Sequence, residues 1–339
     1  MRVPDEYVSR QPSTIWSNID GMRDAVPHID ATGLRKGYGS RVALDGVTLA
    51  VNSGEVVGLL GPNGAGKTTT LMILSTLLRP DAGEVRITGL PANSGGRIVR
   101  RKLGFVPQSI ALYPSLSGMQ NLILFARIHG VSEQEAQSES ATALEAVGLT
   151  DRANDPVSVL SGGMQRRLNL ACGLVHRPEV LLLDEPAVGV DPQSRERILF
   201  TVRKMADAGA AVIYSSHYME EVERLCDRVL LIDSGRLVAN GKVADLIASA
   251  GCRPRMDITF EDAMSSDWLN GVDRVHILSQ STDRIELELS SITQVGELLE
   301  RARSAACSLR EFSVHSPNLS DAFMSLTGHA LRDPEGGSH

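Results

Sequence analysis

From His28 onward the chain separates apolar from polar positions in short blocks, and the spacing predicts strands at residues 29–34, 43–51 and 56–60. The last of these is almost wholly apolar, as a strand buried on both faces is, and a helix is expected to follow it from about Gly66. Residues 115–130 and 133–147 change to helical spacing, the first through Leu116, Met119, Ile123 and Ile128, the second through Ala136, Ala143 and Val147. Strands return at 180–183, 211–214 and 228–233, with a helix at 195–207 between the first two. Such alternation predicts an α/β fold built on a mostly parallel sheet. Near 250–254 the pattern breaks. Residues 256–260 and 285–289 then alternate strictly, as half-exposed strands do, and are joined by helices at about 293–305 and 317–326 and a strand at 309–314. Leu319, Phe323 and Leu326 share a helical face, and Gly328 can end the turn.

This grammar divides the chain into a polar extension at 1–27, with Trp16 and Ile19 as candidate docking points, and a main domain at 28–249. The main domain carries a helical subdomain at about 109–175. A small α+β domain at 252–332 and a loose tail at 333–339 complete the chain. The 339 residues suffice for two domains. A formal charge of −7 supplies no basic field for nucleic acid, so no nucleic-acid partner is expected. Cys172, Cys226, Cys252 and Cys307 are scattered without a C-x-x-C pair and read as small core residues. No run approaches 18 apolar residues and the first residues lack a signal-peptide pattern, so the chain itself is not expected to cross a membrane.

The strongest chemical signal follows the strand at 56–60. Gly61, Pro62, Asn63, Gly64, Ala65, Gly66, Lys67, Thr68 and Thr69 fit the phosphate-loop pattern G-x-x-x-x-G-K-[ST]. Glycines let successive N–H groups turn toward phosphate oxygens, and the helix adds its positive N-terminal end. Lys67 can then reach the β- and γ-phosphates while the Thr68 hydroxyl takes Mg²⁺. A second strand, at 180–183, ends in Asp184 and Glu185. Asp184 is placed for the Mg²⁺ shell and Glu185 to polarise the attacking water; the bland reading of two acids after a strand is a helix cap or a solvated turn.

Between these motifs lies Leu160-Ser161-Gly162-Gly163-Met164-Gln165-Arg166-Arg167, which resembles the signature of the ATP-binding cassette (ABC) ATPases. The resemblance spans about residues 29–248. It implies a P-loop NTPase fold, ATP and Mg²⁺ as cofactors, Tyr38 as an adenine platform, Gln108 as a link between Mg²⁺, lytic water and a transmembrane partner, and His217 as a γ-phosphate sensor. Ser161, Gly162, Gly163 and Gln165 resemble the elements that cover the nucleotide of a second copy, and Asp191 the acid that links two sites across a dimer. One phosphate loop and one signature per chain therefore imply an ATP-dependent head-to-tail homodimer. In this family a chain without membrane spans serves a separate permease, which implies a cytoplasmic protein held peripherally at the inner face of the cell membrane. Ile110 to Tyr113 and Phe125 are candidate contacts for that permease, or equally core packing.

The segment at 313–328 resembles the accessory domain of daunorubicin-resistance-like bacterial exporter ATPases, which implies export of a drug, lipid or glycan-type substrate. Two alternatives remain open here: a soluble ABC ATPase acting on the ribosome or nucleic acid, and the ATPase of an importer.

Overall fold

A computed structural model of the protein describes residues 26–328 apart from 263–265, 273 and 306. Most of the expected extension and the tail at 333–339 lie outside the described residues. The chain divides into two compact units, the first ending at Lys242 and the second beginning at Val243.

In the first unit, β1 (Ile29–Tyr38) and β2 (Arg41–Val51) form an antiparallel hairpin. The buried β3 (Val56–Leu60) then leads through the glycine-rich turn into α1 (Lys67–Leu74). Next come β4 (Ala82–Ile87), β5 (Leu90–Pro91), α2 (Gly96–Lys102) and β6 (Leu103–Val106). A helical stretch holds α3 (Gly118–Ile128), α4 (Glu133–Ala146) and α5 (Gly162–Leu174). The unit closes with β7 (Val180–Asp184), α6 (Pro192–Asp207), β8 (Ala211–Ser216), α7 (Met219–Leu225), β9 (Arg228–Asp233) and β10 (Arg236–Gly241).

Two sheets result. The larger has the order β10-β9-β3-β8-β7-β6, parallel from β9 to β6 with β10 antiparallel at one edge; the smaller is antiparallel, β2-β1-β4-β5. The protein is thus an α/β fold with a mostly parallel sheet core. Leu181, Leu183 and Val212 on one face of that sheet belong to the core that also takes in α3, α4 and α5, while Val57, Leu59, Leu182 and Ile213 on the other face join the core under β1, β2 and α1. Parallel pairing brings the carboxyl ends of β3, β7 and β8 to one edge, where loops and not side-chain packing fill the space, and this edge carries the candidate site.

Several boundaries move for identifiable reasons. The first strand runs to Tyr38 because backbone pairing with β2 continues past the last apolar residue. Ser117 and Gln120 form a reciprocal capping box, so α3 starts at Gly118, and Asp191 caps α6 with Pro192 at its first position.

The second unit opens with α8 (Val243–Ser249), which the sequence pattern assigns to the main domain; it packs instead with α10 (Leu319–Thr327). Its antiparallel sheet has the order β12-β13-β11-β14, with β11 (Arg255–Phe260), β12 (Val275–Gln280), β13 (Arg284–Leu289) and β14 (Leu309–His315). The amphipathic α9 (Gln294–Ser304) places Leu298 and Ala302 against Met256, Ile258, Ile285 and Leu287. Asn318 and Asp321 cap α10 reciprocally, and Gly328 ends it in the left-handed conformation.

Candidate functional site

At the carboxyl edge of the parallel strands the loop from Gly61 to Gly66 winds around a cavity of about 420 Å³. Tyr38, Pro62, Asn63, Gly64, Gly66, Lys67, Thr68, Thr69, Gln108 and Glu185 line it, together with Arg41 and Ala43 from the β1–β2 hairpin. Two glycines are required where they stand. Gly66 has φ +111°, and a Cβ there would meet the Ala43 carbonyl oxygen and Leu44 Cδ2 at 2.7 Å each. At Gly61 a Cβ would lie 2.1 Å from the Ile232 carbonyl oxygen. The glycines let the loop backbone lie this close to its supports, and α1 begins at its end with no side chain capping its first N–H groups. Gly61 and the buried Ala65 support the loop from below without lining the cavity.

Lys67 is only 5% exposed. Its Nζ donates to the carbonyl oxygens of Gly61 (2.7 Å) and Pro62 (3.3 Å) and lies 3.5 Å from Glu185 Oε1. Burial lowers its pKa, with the Glu185 charge opposing the shift. Glu185, 6% exposed, sits at φ +47°, in a left-handed conformation that costs a residue with a side chain roughly 1–2 kcal/mol. Its N–H holds the turn by donating to the Ser215 Oγ (3.0 Å) and carbonyl (3.2 Å). Gln108 Nε2 donates to Glu185 Oε2 at 3.1 Å, and His217 Nδ1 lies 3.3 Å from the same oxygen without hydrogen-bond alignment. A lysine, an amide and an imidazole therefore converge on one buried carboxylate beside the phosphate loop.

Asp184, one residue earlier, is 2% exposed and accepts from Ser215 Oγ at 2.8 Å. Burial raises its pKa, while hydrogen bonds from the Ser215 and Thr68 hydroxyls pull the other way. No cationic side chain lies within ion-pair distance of it among the described residues. A buried acid with hydroxyl partners and no counter-ion is a fit for a hard divalent cation, and Thr68, Asp184 and Gln108 offer oxygen donors of the kind Mg²⁺ takes.

The signature residues stand apart from the cavity. Ser161 caps α5 by accepting from the Met164 N–H (3.3 Å) and is exposed, as is Gly162. Gly163 lies so close to α6 that a Cβ would come within 2.5 Å of both Asp191 Oδ2 and Ser194 Oγ. Gln165 Nε2 is committed to the carbonyls of Val157 and Leu160, each at 3.1 Å. Asp191 accepts from the Ser194 N–H at 2.8 Å, which lowers its pKa. Of the residues expected at the site, then, the structure brings Tyr38, the loop, Gln108, Asp184, Glu185 and His217 together, and leaves Ser161, Gly162, Gly163, Gln165 and Asp191 outside the cavity.

Sequence reasoning missed several residues that shape this edge. Arg41 donates from Nη2 to the Gly64 carbonyl at 3.1 Å. Arg166 donates from Nη1 to the Gln108 carbonyl, and Asn169 Oδ1 accepts from the Ala111 N–H at 3.0 Å, so α5 grips the loop that carries Gln108. Beyond that loop Ile110 and Tyr113 are exposed, whereas Leu112 and Phe125 pack against the core.

A family model described as "ABC transporter" matches residues 44–188. The chain is 39% identical over 310 residues to the linearmycin resistance ATP-binding protein of Bacillus subtilis, covering 90% of this chain and 100% of the relative. It is 39% identical over 316 residues to the doxorubicin resistance ATP-binding protein of Mycobacterium tuberculosis, covering 90% and 95%. To the Nod factor export ATP-binding protein I of Burkholderia orbicola it is 39% identical over 311 residues, covering 91% and 100%. Among solved structures, the ATP-binding subunit of an ABC transporter matches with a TM-score of 0.61 at 30% identity, over 66% of this chain and 93% of that one. A dimeric ATP-binding cassette in a post-hydrolysis state with ADP and Pi matches with a TM-score of 0.58 at 28% identity, over 63% and 98%.

Proposed function

Because the chain belongs to the family of ABC transporter ATP-binding proteins, an ATPase family, we propose that it energises export through a separate transmembrane permease. The observation that carries the site reading is the convergence of Lys67, Gln108 and His217 on Glu185 at the mouth of the phosphate loop. In this reading the loop N–H groups and Lys67 take the phosphates, and Tyr38, 49% exposed at the cavity rim, offers its ring to the base. Glu185 accepts a proton from the water whose oxygen bonds to the γ-phosphorus as the bridging P–O bond breaks, releasing ADP and phosphate. Lys67 and His217 hold the charge that develops on the γ-phosphoryl oxygens. Thr68, Asp184 and Gln108 would hold Mg²⁺, which supplies charge neutralisation of the phosphates.

The exposed Ser161 and Gly162 at the start of α5 face no nucleotide of their own chain. Our reading gives them the nucleotide of a second copy, in a head-to-tail dimer that ATP closes, with Asp191 linking the two sites. The described residues contain no helix long and apolar enough to cross a membrane, so attachment to the cytoplasmic face runs through the permease, against Ile110 and Tyr113 beyond Gln108. The relatives' names carry linearmycin resistance, doxorubicin resistance and Nod factor export. Their range supports a drug, lipid or glycan-type cargo that the cassette does not itself touch. The unit from Val243 onward caps and stabilises the dimer.

The test is purification of the Glu185→Gln chain from solubilised membranes with ATP and Mg²⁺, followed by mass spectrometry. A multi-span membrane protein in stoichiometric yield is the expected result. Recovery of ribosomes or nucleic acid with no membrane protein would overturn the transport reading.

A further inference from the structure

We propose that Glu221 is a positioning residue for hydrolysis, which fixes His217 and ties its loop to the helix capped by Asp191. Glu221 lies on α7, four residues beyond His217, and is 4% exposed. One of its oxygens, Oε2, accepts from Tyr214 Oη at 2.8 Å and from Ser216 Oγ at 2.9 Å. A carboxylate only accepts, so it takes the single hydroxyl proton of Ser216 and leaves that oxygen's lone pairs free. Ser216 Oγ uses them to accept from the Tyr218 N–H at 3.0 Å, which fixes the backbone turn on which His217 stands. Burial holds the Tyr214 phenol far above its ordinary pKa, so it stays a donor.

The second oxygen, Oε1, lies 3.2 Å from Arg195 Nε on α6. The Arg195 guanidinium carbon stands 5.0 Å from the centre of the Tyr218 ring, and that ring packs against the His217 imidazole at 4.2 Å between centres. Neither His217 nitrogen makes a hydrogen bond among the described residues. The imidazole, whose Nδ1 lies 3.3 Å from Glu185 Oε2, is therefore steadied by the Tyr218 ring and by the backbone turn beneath it, both of which Glu221 contacts directly or through Arg195, while its Nε2 is left for an incoming oxygen. Arg195 sits one turn inside the helix that Asp191 caps, so the same carboxylate joins the histidine loop to that helix. A charge in this place does more than a neutral isostere: Glu221→Gln retains an acceptor for the two hydroxyls but turns an amide toward Arg195 and releases it from Tyr218.

The inference rests on the reading of His217 as the residue that contacts the γ-phosphate. It is tested on the full chain by single-turnover ATP hydrolysis and equilibrium ATP binding for His217→Ala, Glu221→Gln and the double variant. Glu221→Gln is expected to slow hydrolysis at least about tenfold with the ATP Kd within about twofold, and to add less than about twofold in the His217→Ala background. A rate loss of equal size in both backgrounds, or a Kd that rises in step with the rate loss, would show a merely structural carboxylate and overturn the proposal. If Glu221→Gln gives no cooperative melt, Tyr218→Leu carries the test, because it removes the ring and leaves the carboxylate with its hydroxyl donors. The same pattern is expected of it, and an unchanged rate overturns the proposal. Native hydrolysis by His217→Ala would instead sink the reading of His217 itself.

Discussion

Replacing Glu185 by glutamine keeps the shape of the side chain and removes the carboxylate that, among the described residues, faces both Lys67 and Gln108. Loss of a general base slows a proton-transfer step by about 10²–10⁴, equivalent to roughly 3–5 kcal/mol of barrier. The same change has a second effect. Lys67 and Glu185 stand 3.5 Å apart with side chains 5% and 7% exposed. At an effective dielectric near 20 their gross attraction is about 4–5 kcal/mol, so the glutamine variant leaves a desolvated ammonium short of its counter-charge. ATP restores that charge with its own phosphates. The nucleotide-free variant is therefore expected to melt below the native protein, to gain more stability from ATP than the native protein does, and to release phosphate at least about a hundredfold more slowly. Phosphate release under saturating ATP and melting curves with and without nucleotide read the two effects separately. Hydrolysis within threefold of the native rate (a change of about 0.6 kcal/mol) would refute the base assignment. An ATP-induced melting shift smaller than the native one would refute the charge argument.

Asp184→Asn removes a buried charge. Because burial raises the folded-state pKa of Asp184, its ionised form weighs against the folded chain as pH rises through that pKa, so the variant should melt no lower than the native protein at neutral pH without ligand. The Mg²⁺-dependent part of ATP stabilisation should vanish with it, and a native-sized Mg²⁺ effect would remove Asp184 from the metal site. His176 stacks on His129 at 3.8 Å between ring centres; burial lowers both pKa values, that of His176 to about 4. A neutral imidazole in the folded state gives stability that is full above the ordinary value of about 6.5 and is lost between there and about 4, at most roughly 3 kcal/mol for His176. Melting curves from pH 7 to 5 should fall more steeply for the native protein than for His176→Gln, and parallel curves would contradict this. Gly163→Ala would drive a methyl into Asp191 and Ser194 and loosen the cap of α6, at about 1 kcal/mol of stability. Turnover at saturating ATP should fall at least about tenfold while the isolated chain still binds nucleotide, since the cavity contains neither residue. Loss of nucleotide binding with turnover would place Gly163 in the chain's own site.

What could be read in the sequence follows from what stabilises each part. The strands β3, β7, β8 and β9 are buried on both faces and are nearly continuous apolar runs, so composition alone marks them. The second half of β1, with Arg35, Lys36 and Gly37, and the edge strand β10 owe their form to backbone pairing with the adjacent strand of a hairpin, which leaves no hydrophobic period to detect. The unit to which α8 belongs was not legible either, because a short helix with one buried residue, Leu246, carries no mark of which unit it packs on. Within the site, the phosphate loop and the acids after β7 declare themselves because backbone geometry and charge demand those residue types. Ser215, Arg41, Arg166 and Asn169 are ordinary residue types whose roles come from distance in space. For Ser215 a partial signal did exist: β7 and β8 were both legible as strands of a parallel sheet, and the register that the structure gives them sets Asp184 opposite Ser215.

The distribution of these residues over the fold fits the proposed reading in which a single chain is half a machine. The cavity takes its lining from the β1–β2 hairpin, the phosphate loop and the ends of β6 and β7, all anchored in the sheet, and α5 carries the signature at its exposed start. Yet the two regions are mechanically joined. Arg166 and Asn169 of α5 hold the backbone of the Gln108 loop, and Gln108 in turn bonds Glu185. Gly163 of α5 presses on Asp191 at the cap of α6, and Arg195 of α6 reaches Glu221 under the histidine loop. A displacement of α5 by a neighbouring molecule would thus reach Glu185 from one side and His217 from the other through packed, hydrogen-bonded contacts that have little freedom to absorb it. On the proposed reading hydrolysis would then be sensitive to what sits on α5, as a cassette whose rate answers to a separate permease requires.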